Sequence, residues 1–122
     1  MGLNKVVDFS TAKLLKEKGF DEPCRYVHDT WNNIKDWLED GEGEHRNSHK
    51  NSSVYYSAPT IAEVVMWLYE KHGIWISVEA TDDFTMFCFR IRKKEISRLS
   101  FNYNSLTEAY EAAIEYCLTK LI

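Results

Sequence analysis

The sequence lacks a CxxC pair, an excess of positive charge, and any apolar run near the roughly 18 residues that a membrane helix needs. Each absence removes a class of function. Without CxxC, neither a zinc ribbon nor a thioredoxin-like redox site is supported. The three cysteines, Cys24, Cys88 and Cys117, are odd in number, far apart and set among apolar residues. They read as small buried thiols in a reducing compartment. The formal net charge is −4 and the pI is about 5.5, so a generally basic nucleic-acid protein is not indicated, although a local basic patch remains open. The segment MGLNKVVDFSTAK has neither a long apolar stretch nor a small-residue cleavage site. Val6 stands where a myristoylation signal wants Ser or Thr. The expected location is the cytoplasm, with no membrane partner. GxSxG, HExxH, P-loop and GxGxxG motifs are missing as well.

Structure, by contrast, is plainly written. At 122 residues the chain is expected to form one domain. Residues 11–18 suit a short helix capped by Ser10, with a Phe9–Leu14 staple and a stop at Gly19. Residues 24–28 suit a short strand. Trp31, Ile34 and Leu38 fall at helical spacing, which favours a helix over 30–39, with a hairpin arm as its competitor. Residues 39–53 contain no large apolar side chain and read as a mobile polar loop.

The firmest element is a helix over 59–72. Pro59 suits its first turn, or Thr60 and Glu63 form a capping box. Ile61, Val64, Val65 and Leu68 make one stripe, and Gly73 stops it. Trp67 lies off that stripe and is either packed under another segment or exposed for a partner. A strand over 74–81 alternates, with Ile74, Ile76 and Val78 on one face and Trp75, Ser77 and Glu79 on the other. A strand over 84–92 puts Phe87, Phe89 and Ile91 together. A turn at Asp82–Asp83 sets Val78 opposite Phe87, Ile76 opposite Phe89 and Ile74 opposite Ile91, and a slip by one residue mismatches every pair. A three-residue turn at Lys93–Glu95 leads to a strand over 96–103, with Leu99 opposite Phe89 and Phe101 opposite Phe87. The last helix follows Ser105, with Glu108 completing a capping box and Leu106, Tyr110, Ala113, Ile114, Cys117 and Leu121 facing inward. The expected fold class is α+β. A three-stranded antiparallel meander is covered on one face by two helices, in α-β-β-β-α order over 59–122, with an N-terminal helix and an extra strand beside it.

That order is also the order of double-stranded-RNA-binding domains, but order alone is weak. The start of the last helix, SLTEAYEAA, carries Glu108 and Glu111 where phosphate contact needs lysines. Catalytic and metal constellations are hard to assemble. Cys24 and His28 on one strand stand two pleats apart, too far for a thiolate pair. His45 and His49, near Glu42 and Glu44, have a metal spacing only on a helix, which Gly41 and Gly43 discourage. His72 is expected to cap carbonyls at the end of its helix. No catalytic residue, metal ligand or cofactor is expected.

The candidate partner or anion surface is Trp67, Trp75, Arg90, Arg92, Lys93, Lys94 and Arg98. In the register above, Arg90 and Arg98 oppose one another on the outer sheet face and Trp75 lies across from Arg90. Like charges so placed need water, an acid or an anion between them.

The segments KGFDEPC, SAPTIAEVVMWLYEKHGIWISV and SLTEAYEAAIEYCLTKLI resemble a group of small uncharacterised proteins encoded by Bacteroides-type gut bacteria, phages and prophages. The resemblance covers roughly residues 14–28 and 54–122, and its motifs are caps, core stripes and stops. It implies a mobile-element origin, with no known activity and no functional residues to carry over. The expected function is that of a non-enzymatic accessory protein acting by protein–protein contact, with a homodimer as one form. Surplus aromatics (Trp31, Trp37, Trp67, Trp75, Tyr55, Tyr56) motivate that reading. The alternative is a nucleic-acid-binding regulator using the basic 90–98 hairpin.

Overall fold

The computed structural model describes residues 2–31, 33–37, 41, 43–48 and 54–122. Leu38, Glu42 and His49 lie outside the described residues, as do the rest of 38–40 and 49–53. The class is α+β, with two antiparallel three-stranded sheets rather than one. Two compact units divide the chain: Val6–Thr60, and Met1–Lys5 with Ile61–Ile122.

In the first unit, helix α1 (Phe9–Glu17) is capped by Asp8, whose carboxylate accepts from Thr11 N at 2.9 Å. Ser10 was the expected cap, but its hydroxyl binds Asp8 at 3.1 Å instead. A carboxylate is the stronger acceptor for the exposed N–H groups of the first turn. Phe9, inside the helix rather than before its cap, packs on Tyr56 and His28 at 5.3 and 6.0 Å. Gly19, at φ 90°, turns the chain back so that Phe20 donates to Leu15 O and buries its ring.

The sheet of this unit runs β2 (Ile34–Asp36), β1 (Tyr26–Asp29), β3 (Tyr55–Ser57). The helix expected over 30–39 is therefore not formed. The competing hairpin arm is, with Val27 opposite Lys35. Asp29 explains the choice. Its buried carboxylate accepts from Trp31 N at 2.8 Å and Asn33 N at 3.0 Å, which closes the turn. Those bonds, the Asn33 one foremost, hold its carboxyl below the usual carboxylate range. Arg25 grips Asp36 with both ends of its guanidinium at 2.8–3.0 Å, across the start of the same hairpin.

The polar stretch was expected to bury nothing. His45 corrects this: it is 1 % exposed. It exchanges two backbone bonds of 2.8 Å with Cys24, and its Nδ1 lies 2.7 Å from Ser57 Oγ. Asn47 ties the same stretch to Phe20 O and Ser57 N at 2.8 and 3.0 Å.

In the second unit, α2 (Ile61–His72) buries Ile61, Val64, Val65, Trp67 and Leu68. Its first N–H, that of Ile61, donates to Lys5 O at 2.9 Å, and Gly73 stops it at φ 65°. The sheet is β4 (Ile74–Ala80), β5 (Phe87–Lys93), β6 (Ile96–Tyr103) in chain order. Helix α3 (Leu106–Tyr116), capped by Ser105 Oγ on Glu108 N at 3.1 Å, packs with α2 against the face of Ile74, Ile76, Phe89 and Ile91. Glu108 closes the cap by accepting from Asn104 N. A π-helical turn, Cys117–Leu121, extends α3 and buries both Cys117 and Leu118.

The hairpin register differs from the expectation by two residues. Val78 opposes Phe89, Ile76 opposes Ile91, and Ile74 opposes Lys93. A shift of two keeps every side chain on its expected face. The longer turn accounts for it: Thr81 N donates to Met86 O, and the Asp83 carboxylate holds both Thr81 and Thr85 hydroxyls at 2.7 and 2.8 Å. The β5–β6 register differs by one, so there the faces change. Lys94, at φ 53°, opens a two-residue turn with Glu95 in place of three, which sets Arg90 opposite Leu99 and Ile91 opposite Arg98.

His72 was expected to cap carbonyls at the end of α2. Its ring meets Trp67 edge-on at 4.8 Å instead. Burial first, and then the charge of Lys93, push its pKa below the ordinary imidazole value. The folded state therefore prefers neutral His72, and the unfolded chain binds the proton more readily. Its contribution to stability is complete above the unfolded value of about 6.5 and is lost as pH falls through the folded one. The expected result is a lower Tm at about pH 5.5 than at pH 7.5, with a smaller fall in His72→Gln. An equal fall in both proteins would remove His72 as the cause.

Candidate interaction surface

The α2–α3 layer covers one side of the β4–β6 sheet. Alternation puts Trp75, Ser77 and Glu79 of β4 and Cys88, Arg90 and Arg92 of β5 on the other side. Ser97 and Leu99 of β6 join them by pairing with Arg92 and Arg90. The pairing shifts between Phe87 and Phe89 let β6 contribute an extra residue, with Asn102 at φ 75°. Phe101 is thereby kept beside Leu99, while Tyr103 returns to the covered side and meets Phe89 at 5.5 Å. Leu99, Trp75 and Phe101 are 41 %, 44 % and 54 % exposed.

A cleft of about 580 Å³ lies on this side, lined by Glu79, Asp82, Asp83, Arg90, Leu99 and Phe101 among others. Glu79, Asp82, Arg90, Arg92 and Lys94 make no ion pair with any described residue. The bonds to Thr81 and then Thr85 hold the Asp83 carboxyl below its ordinary value. Phe84, in the same turn, is 81 % exposed at φ 60°. A bulky side chain rarely takes that conformation.

Searches of family models, curated proteins and solved structures found no match for this chain.

The expected surface is only partly assembled. Arg90, Arg92 and Trp75 share the open side, with Lys94 at the turn beyond them. Trp75 opposes Arg92 rather than Arg90, and its ring meets Tyr69 at 5.4 Å, edge to face, instead of stacking on an arginine. Trp67 is 5 % exposed and belongs to the core of α2. Lys93 turns to the covered side and donates to Leu121 O at 2.8 Å. Arg98 does the same, its guanidinium 4.4 Å from the Tyr116 ring centre. The opposed arginines expected on the outer face are therefore on opposite sides of the sheet. The reading from alternation put Glu79 on the open side without counting it in the surface, and it missed Leu99, Phe101 and Asp82. The two-residue turn at Lys94–Glu95 is what brings Leu99 and Phe101 to this side.

Outside this face, Cys24, His28 and Cys117 are enclosed. Cys24 is buried against Glu22 O, and His28 Nε2 donates to Val7 O at 2.7 Å, so the two form no pair. Burial pushes the Cys117 thiol up to about 12, which leaves it protonated and unreactive at neutral pH. Among the described residues, no group of three His, Cys, Asp or Glu could hold a metal ion. No helix among them is long and apolar enough to cross a membrane.

Proposed function

We propose that this chain is a non-enzymatic accessory protein of a phage or mobile element, acting by protein–protein contact through the open side of the β4–β6 sheet. The observation that carries this reading is the pairing of exposed Trp75, Leu99 and Phe101 with charges of both signs that make no ion pair among the described residues. Apolar anchors ringed by charges suit a protein surface. A nucleic-acid groove suits this face less well. With Lys93 and Arg98 on the other side, Arg90, Arg92 and Lys94 remain, and Glu79, Asp82 and Asp83 stand along the same face. Carboxylates so placed repel phosphate.

The test has two arms. Fluorescence anisotropy with labelled single- and double-stranded DNA and RNA should show no appreciable binding at physiological salt. Submicromolar binding that disappears in the double variant Arg90→Glu, Arg92→Glu would replace this reading with the nucleic-acid one. In the second arm, immobilised protein should retain a protein partner, and Leu99→Glu with Phe101→Glu should lose it without a fall in Tm. Retention unaffected by those changes would place the contact elsewhere.

A further inference from the structure

The open side of β4–β6 is electrically polar along its strands. Glu79, Asp82 and Asp83 stand at the β4–β5 turn. Arg92 and Lys94 stand at the opposite end, by the β5–β6 turn, with Trp75 across from Arg92 and Glu95 the one acid beside them. An all-basic face would fit an acidic partner, and an all-acidic face a basic one. A face with opposite signs predominating at its two ends fits its own copy turned end for end. We propose that this face is the interface of a reversible homodimer, which names the partner for the contact argued above and rests on that reading.

The symmetry follows from the charge pattern. Two sheets packed face to face are related by a two-fold axis lying between them. An axis along the strands would set acid on acid. An axis across the strands reverses them, so that Glu79 and Asp82 of one copy come against Arg92 and Lys94 of its partner, twice over. Leu99 lies near the middle of the face and meets its own copy. Arg90 also falls near the axis, where the cleft acids of its own chain flank it. The strained, exposed Phe84 sits at the acidic end and comes against the Trp75 end of the partner, which gives a reason for an aromatic side chain at φ 60°.

The size of the face sets the strength. Three strands about 4.8 Å apart and about seven residues long at about 3.3 Å each make a patch of roughly 14 by 23 Å. That is small beside the roughly 800 Å² per partner of a standard interface, so the dimer should be weak and concentration-dependent.

Sedimentation equilibrium of the full chain between about 1 and 500 µM tests this, since a small interface is expected to dissociate within that range. A shift from monomer to dimer is expected. Arg92→Glu alone and Glu79→Lys alone should each stay monomeric, because each sets like charges together twice. Mixed in equal amounts, they should form a heterodimer, because both contacts become opposite-charge pairs. Phe84→Gly relieves the backbone and should keep or raise Tm while weakening the dimer. A wild-type chain that is monomeric over the whole range overturns the inference. So does a dimer that either single charge reversal leaves intact, or single variants that fail to rescue one another. A monomeric wild-type chain that still retains another protein through Leu99 and Phe101 defeats the homodimer and spares the functional reading.

Discussion

Replacing Phe89 or Leu68 by alanine is expected to lower stability by about 2–5 kcal/mol. Both side chains are enclosed, at 3 % and 0 % exposure. Phe89 stands at the centre of the second sheet, opposite Val78 on one side and Ser100 on the other, with Tyr103 against its ring. Leu68 belongs to the α2 stripe. Truncation removes the transfer energy of the lost carbons and leaves a cavity that packed neighbours fill only in part. Domains of this size hold about 5–15 kcal/mol in total, so either change takes a large share. Urea midpoints of the two variants measure it. An unchanged midpoint for Phe89→Ala would contradict the register of β4–β6.

His45→Ala is expected to cost about 2–4 kcal/mol, although the residue lies in a stretch of charged and small side chains. The ring packs edge-on against Trp37 at 5.3 Å and bonds to Ser57 Oγ. Removing it opens space and leaves a fully buried hydroxyl to find another partner. Ser57→Ala removes only the hydroxyl contact and should cost less, about 0.5–1.5 kcal/mol. Thermal melts of the two variants give the comparison. A His45→Ala change within about 0.5 kcal/mol of neutral would mean an ordinary surface site.

These two cases show what the residue pattern makes legible. The α2 stripe, its glycine stop, the Ser105 cap and the alternation of β4 and β5 could all be read directly, because each repeats a local rule several times over. The two-residue register shift between β4 and β5 did no harm, since alternation has period two. At β6 one fewer residue in the turn exchanged the faces, and nothing local marked that difference except the conformation at Lys94. Leu99 and Phe101 were assigned inward because a three-residue turn pairs them with Phe89 and Phe87. On β6, Arg98 was therefore exchanged for Leu99 and Phe101, while Lys93 follows Ile91 of β5 to the covered side and Trp67 lies in the core. His45 escaped for a different reason. Its neighbours are polar, and only a partner far along the chain, Ser57, draws it in.

The extra residue near Phe101 has a consequence for how association ends. An edge strand with open hydrogen-bonding groups invites another strand, and then another, into a growing fibre. The left-handed turn at Asn102 bends β6 out of line, so a newcomer would find only a short straight run to match. Growth along the β6 edge is discouraged, while the flat of the sheet remains available. In the proposed dimer a two-fold contact there would consume the matching surface of both copies at once, so assembly of that kind would stop at a pair.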